Sequence, residues 1–270
     1  MICSIPGFVS VLPAINSNFT HHISAGLVNG SQITGQVAIS HPSAPTALPD
    51  DVLSAPNLSD SDHDRIEDAN LPGSLPALRR QHIAFSKADS DNDDLPARIE
   101  RVWYINPYGH EIWPVANPKV LAAINASDTV IYSIGSLYTS IVPSVILRGV
   151  GAAIAAPGVR KRVLILNSRI DRETGPRWDK MTARDFVAAV ARAGAESWVP
   201  EGGWKEREML RRYVSHLVYL EGEGTPEVDV QELEGLGIQC VKVGGRRGKR
   251  GELRYEEEEL RGALELIIDS

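Results

Sequence analysis

The sequence predicts an α/β fold in three layers, a mostly parallel sheet with helices on both faces. Three observations predict it. From Ile99 onward, short runs rich in Val, Ile and Tyr alternate with segments of helical length, the pattern of a parallel sheet whose connections lie on its faces. Residues 128–148 read as a strand, a Gly/Ser turn and an apolar helix in direct succession. Near the C-terminus, Leu260, Ala263, Leu264, Ile267 and Ile268 fall at i, i+3, i+4, i+7 and i+8, one apolar stripe suited to cover a sheet.

Residues 1–42 are predicted to be an ordered N-terminal part. Strands are expected over 23–27 and 32–39, joined at Asn29-Gly30, because both turn residues tolerate positive φ. Residues 43–97 form an acidic insertion in which Pro, Ser and Asp dominate. Such a stretch buries too little apolar surface to offset its ordering entropy, so it is expected to be disordered, with brief order at most over 78–85.

Residues 98–270 carry the α/β pattern. A strand is expected over 99–105 and a short helix over 118–126, with Pro118 at a tolerated first-turn position. Residues 129–133 form a strand and 139–155 a helix, whose Pro143 must lie in its first turn or bend it. Residues 162–166 are a strand. Thr182 caps the next helix, with Asp185 near its first exposed N–H groups and Gly194 as its C′ residue. Two further strands, 215–220 and 238–243, precede the last helix. Ligands of such sheets sit at the carboxyl ends of the strands. That rim holds residues 133–136, 167–174 and the loop after Leu220.

Composition narrows the function classes. The chain has 270 residues, 43% hydrophobic and 23% charged, as in ordinary globular proteins. Its net charge of −7 argues against general nucleic-acid binding. Cys3 and Cys240 cannot build a disulfide framework, and the histidines show no metal-ligand spacing. No apolar run approaches the roughly 18 residues that suggest a membrane span, and no targeting segment is visible. The expectation is a cytoplasmic protein that binds neither membrane nor nucleic acid.

The turn after the strand at 129–133 is the candidate site. A Gly/Ser turn opening a helix leaves N–H groups unpaired in the positive field of the helix dipole, a seat suited to phosphate. Ser133, Gly135, Ser136 and Thr139 are the candidate phosphate-holding residues, with Leu137 in the same segment. The bland alternative is a tight turn with helix caps. Tyr138 either stacks on a ligand ring or packs.

Gly135-Ser136-Leu137-Tyr138-Thr139-Ser140-Ile141-Val142-Pro143 resembles the Gly-Ser-Leu-Tyr-Thr-Ser-Ile-Ile-Pro centre of the 2-phospho-L-lactate transferase (CofD-like) family. That family also includes YvcK-type proteins, which bind nucleotide sugars. Further segments resemble the family in order. They are Val11-Leu12-Pro13, Asn29 to Gln36, Pro118 to Ile124, Val163 to Asn167, Asp171-Arg172-Glu173-Thr174-Gly175 and Thr182 to Phe186. The resemblance implies a Rossmann-like sheet, a nucleotide or nucleotide-linked small molecule as ligand, and Mg²⁺ as cofactor. No residue here stands out as a metal ligand, and no catalytic residue can be assigned.

Asn167 would orient the ligand's phosphate or hydroxyl groups, or tie down its loop. Glu173 and Thr174 would close the site, Glu173 accepting from a sugar hydroxyl, or would be structural. Arg254, in Arg254-Tyr255-Glu256, resembles the family's late Arg-His-Asp, and its fork suits a diphosphate; the alternative, which the sequence slightly favours, is a surface Arg beside the final helix. The run Arg246-Arg247-Gly248-Lys249-Arg250 reads as a solvated loop, with a contribution to anion attraction as the lesser reading.

The sequence departs from the family in lacking its Gly-Gly-Thr-Gly turn and its Ser-Asp-Asp-Gly-Gly motif, and in Ser133-Ile134 for Gly-Pro and Ser144 for Asn. The expectation is an N-terminally truncated form whose sheet misses its first strand. The exposed edge would invite pairing with another copy, a homo-oligomer. Three functions stay open: transfer of a 2-phospholactyl group from a guanosine diphosphate carrier to a deazaflavin hydroxyl, nucleotide-sugar binding without turnover, and an inactive remnant.

Overall fold

The structure, a computed structural model, describes residues 9–17, 19–41, 75, 94–198, 206–248 and 251–270. Its centre is a four-stranded parallel sheet of β5 (Thr129–Tyr132), β6 (Lys161–Ile165), β7 (His216–Tyr219) and β8 (Gln239–Lys242), in that spatial order. The inner strands are continuous apolar runs because both of their faces are covered. Val163, Ile165 and Val218 pack against Ala263 and Ile267 of helix α8 (Glu257–Asp269). Leu164, Leu166, Leu217 and Tyr219 face the opposite core, with Phe186 and Val190 of α5 (Ala183–Glu196), Ile154 of α4 (Val150–Ile154) and Leu210 of α6 (Glu206–Tyr213). Helices therefore cover both faces, as predicted. Each of the Val, Leu, Ile and Phe side chains among these stabilises the fold by about 1.5–3 kcal/mol.

A second sheet is antiparallel, with the order β2 (Gln32–Thr34), β1 (His22–Leu27), β3 (Ile99–Ile105), β4 (Glu111–Ile112). The strand at 99–105 thus does not extend the parallel sheet. It pairs with β1, His22 opposite Ile105 and Ala25 opposite Val102, and turns back into β4 through Gly109 at φ 90°. The Asn29-Gly30 turn forms as expected, with Gly30 at φ 84°. The strand after it is shorter than predicted. Gly35, at φ 97°, ends it, and Gln36–Ser40 coil into helix α1. The Arg172 guanidinium donates to the Ile39 carbonyl at 3.2 Å, a cation at a helix C-terminus. Most of the acidic insertion, including 78–85, lies outside the described residues. No helix among them is long and apolar enough to cross a membrane.

Three helix expectations are corrected. The predicted helix over 139–155 is a π-helical turn (Leu137–Ile141), then α3 (Val142–Val145), a break, and α4. Pro143 lies in the first turn of α3, where its missing N–H costs nothing. The break falls at Gly149, φ 94°. Gly194 does not end its helix; α5 runs two residues further. It marks instead the crossing with α4. A Cβ on Gly151 would overlap the Gly194 carbonyl oxygen, and one on Gly194 would overlap the Tyr213 ring. Ser197 Oγ fastens the crossing, accepting from the Gly151 N–H (2.7 Å) and donating to the Gly194 carbonyl (3.0 Å). In α8, Ile268 is 46% exposed and leaves the stripe that Ala263 and Ile267 anchor.

The predicted start of α5 holds. Asp185 Oδ2 accepts from the Thr182 N–H (2.8 Å) and Thr182 hydroxyl (3.0 Å), and pairs with Arg98 at 2.7 Å. Asp185→Ala is expected to lower stability by about 1–2 kcal/mol, the usual range for lost N-terminal caps, in urea unfolding. Helix α2 (Pro118–Asn125) is likewise capped by Asn117, whose side chain accepts from the Lys119 N–H at 3.0 Å.

Candidate functional site

The parallel strands end along one rim, Tyr132 beside Leu164, Ile165 beside Val218, Tyr219 beside Lys242. The loops following β5, β6 and β7 therefore begin side by side. Two arrangements are built there.

The first is a clamp at the helix opening. Asp171 caps a 3₁₀ turn (Arg172–Thr174), accepting from the Glu173 N–H at 3.0 Å, while Thr174 Oγ1 accepts from the Asp171 N–H at 2.8 Å. This turn aims Glu173 inward, where it is only 2% exposed. Its carboxylate accepts from the N–H of Tyr138 (3.0 Å), the N–H of Thr139 (3.0 Å) and the Thr139 hydroxyl (2.5 Å). Burial pushes its pKa up; the Thr139 hydroxyl works against that shift, and Asp171 adds to it.

The site expectation is revised accordingly. The N–H groups of Tyr138 and Thr139 do hold an anion, and the anion is the chain's own Glu173. Thr174 is fully buried in the cap, and Leu137 in the core. Tyr138 packs, its hydroxyl donating to the Ile99 carbonyl at 3.0 Å, and burial raises its pKa. Glu173 lies too deep to reach a sugar hydroxyl. Ser133 is exposed, Gly135 and Ser136 half-buried, upstream of the clamp.

The second arrangement is a cleft of about 930 Å³ lined by Ser168, Arg169, Arg246, Arg247, Glu252 and Arg254 among others. Ser168 and Arg169 follow β6, directly after half-buried Asn167. The remaining residues come from a hairpin of β9 (Gly245–Arg247) and β10 (Leu253–Tyr255). Tyr255 ties that hairpin to the rim, its hydroxyl donating to the carbonyls of Leu166 (2.7 Å) and Val218 (3.2 Å). Arg246 and Arg247 are thus strand residues, where the sequence suggested a solvated loop; Lys249 and Arg250 lie outside the described residues. Arg246 stands directly opposite Arg254 in the ladder. Like charges so placed repel. Among the described residues of the lining, Glu252, at 2.6 Å from Arg254, is the one carboxylate beside four guanidiniums.

Sequence reasoning singled out Arg254, placed Ser168 and Arg169 on the rim without a role, and gave Arg246 and Arg247 anion attraction only as the lesser reading. A usable signal was present, two short stretches separated by Gly248 and Gly251, spacing that suits a hairpin. Among the described residues no group of three or more His, Cys, Asp or Glu side chains could hold a metal ion. Those residues do not supply an all-protein site for Mg²⁺.

A family model described as 2-phospho-L-lactate transferase CofD matches residues 2–244. An uncharacterized protein of Saccharomyces cerevisiae, YNL011C, is 34% identical over 283 residues, covering 96% of this chain and 61% of its own length. The crystal structure of protein BH3568 from Bacillus halodurans is similar with a TM-score of 0.56 at 17% identity, over 94% of this chain and 60% of that one. A second structure, titled as a member of the UPF0052 family from the same organism, is similar with a TM-score of 0.54 at 17% identity, over 92% and 60%. The chain therefore spans about three fifths of the length of these relatives. At such identity the two structures bear on the fold, a Rossmann-like α/β arrangement, and the match over nearly the whole chain bears on descent: this protein belongs to the 2-phospho-L-lactate transferase CofD family.

Proposed function

We propose that the arginine cleft binds the phosphates of a nucleoside diphosphate-linked substrate, and that the protein is a 2-phospho-L-lactate transferase-like enzyme. The observation that carries this reading is Arg246 facing Arg254 across the β9–β10 ladder, beside Arg169 and Arg247. Guanidiniums held opposite each other repel, and Glu252, paired with Arg254, offsets only one of the cleft's four positive charges, so a further anion there would be favoured. Each can donate two parallel hydrogen bonds to phosphate oxygens. Ser133, Gly135, Ser136 and Asn167 sit on the same rim and would contact the rest of the ligand. The cleft volume suits a small-molecule ligand.

In the family's reaction an acceptor hydroxyl attacks the phosphorus that carries the lactyl group. The phosphoanhydride bond to the nucleotide breaks and GMP leaves with the bonding pair. Catalysis of this kind rests on positioning and on neutralising charge at phosphorus. The four arginines would supply that neutralisation here, and Mg²⁺ would add to it when bound.

The test is thermal unfolding of the chain with GDP, GTP and UDP-N-acetylglucosamine, each with Mg²⁺, for wild type, Arg254→Gln and Arg246→Gln. A ligand at a hundredfold excess over Kd stabilises by about 2.7 kcal/mol. The expected result is a rise selective for guanine nucleotides that either substitution reduces at least tenfold in apparent affinity. Selectivity for the UDP-sugar would instead favour binding without turnover. A cooperative melt unmoved by all three nucleotides would sink the reading.

A further inference from the structure

A second candidate site lies away from the arginine cleft and shares no lining residue with it. It is a cavity of about 390 Å³ lined by Trp113, Arg148, Gly149, Glu196, Ser197 and Trp198. Trp113 and Trp198 are 42% and 41% exposed, a large apolar area to leave in water. Neither indole is loose. Trp113 rests against the Arg101 guanidinium, whose carbon lies 5.6 Å from the ring centroid, and Trp103 lies against the same guanidinium at 5.3 Å. Trp198 donates its Nε1–H to the Tyr213 hydroxyl at 2.8 Å. Trp103 and Trp113 thus share one guanidinium, and Trp113 and Trp198 line one cavity. Indoles fixed before a ligand arrives lose little entropy on binding it.

The charges of the cavity are unequal in availability. Glu196 is held by Arg101 at 3.1 Å, a guanidinium that it shares with Glu111. Arg148 makes no ion pair and no side-chain hydrogen bond among the described residues. Its backbone is pinned, the N–H donating to the Pro114 carbonyl (3.0 Å) and the carbonyl accepting from the Ala116 N–H (3.3 Å), so the guanidinium is presented from a fixed base. Two fixed indoles, one uncommitted guanidinium and a volume suited to one or two rings define a ligand chemistry. We propose that this cavity binds a small planar aromatic molecule bearing an anionic group, the ring against Trp113 and Trp198 and the anion on Arg148.

The test uses calorimetric titration of the full chain with three probes. Indole-3-acetate has the ring and the charge, tryptamine the ring with opposite charge, and cyclohexylacetate the charge without a flat ring. The expected result is saturable one-to-one binding of indole-3-acetate, at least tenfold tighter than either other probe. Arg148→Gln is expected to weaken it at least tenfold with no change in thermal midpoint, and Trp113→Leu to weaken it while keeping apolar volume. Absence of saturable binding, equal affinity for the three probes, or binding that survives Arg148→Gln intact would each overturn the proposal.

Discussion

Glu173→Ala is expected to destabilise the protein by about 3 kcal/mol or more, since it strands three buried donors that each cost roughly 1–3 kcal/mol when unpaired. Those donors are the Tyr138 N–H, the Thr139 N–H and the Thr139 hydroxyl. Glu173→Gln should be far milder, within about 1 kcal/mol of wild type at neutral pH. Its amide oxygen can accept from both N–H groups and its NH₂ can donate to Thr139 Oγ1. The pair separates lost geometry from lost charge. Charge has its own signature, because burial raises the Glu173 pKa. A carboxyl with a raised folded pKa holds its proton more tightly in the native chain than in the unfolded one. Its contribution is fully present below the unfolded value of about 4.3 and is lost as pH rises through the folded value. Denaturant titrations from pH 4 upward should show that descent in wild type and not in Glu173→Gln. An alanine variant as stable as wild type would mean that the clamp is not closed.

Gly151→Ala is expected to cost about 3 kcal/mol, the upper end for overpacking a tight contact. For a chain of this size that is a fall of roughly 6–12 °C in thermal midpoint. The added methyl would overlap the Gly194 carbonyl and displace the Ser197 hydroxyl that both helices share. Gly194→Ala should be comparably damaging, against the Tyr213 ring. The first change forces α4 from α5 and the second α5 from Tyr213 of α6, and because both act on the same stretch of α5 the two effects should not simply add. Gly262→Ala is the control with opposite sign. Gly262 lies within α8 with nothing near the position of a Cβ, so alanine should stabilise by about 0.5–1 kcal/mol. If Gly151→Ala melts like wild type, the α4–α5 crossing is looser than described.

The legible parts of this protein were those set by neighbours along the chain. The apolar runs of β6 and β7, the Asn29-Gly30 turn and the Thr182–Asp185 cap depend on residues a few positions apart, and each formed where the sequence placed it. The family too was legible, because its central motif is contiguous. The misread elements depend on partners far away. Gly194 has the look of a helix end, yet the Tyr213 ring, 19 positions later, leaves no room for a side chain there inside the helix. The strand Ile99–Ile105 follows the α/β rhythm, yet β1 claims it for an antiparallel sheet.

The site divides along the same line. The sequence by itself determined that a helix opening with unpaired N–H groups would follow β5 and would seek a negative charge, because helix geometry leaves those groups exposed wherever it starts. Which negative charge arrives was decided only by the tertiary structure. Asp171's cap turns Glu173 toward Thr139, 34 residues away, and fills the seat from within. The proposed anion site lies instead at the β9–β10 hairpin, whose register sets Arg246 against Arg254. Local propensity cannot encode either event, since each depends on two chain segments meeting, and that meeting is fixed by the packing of the sheet between them.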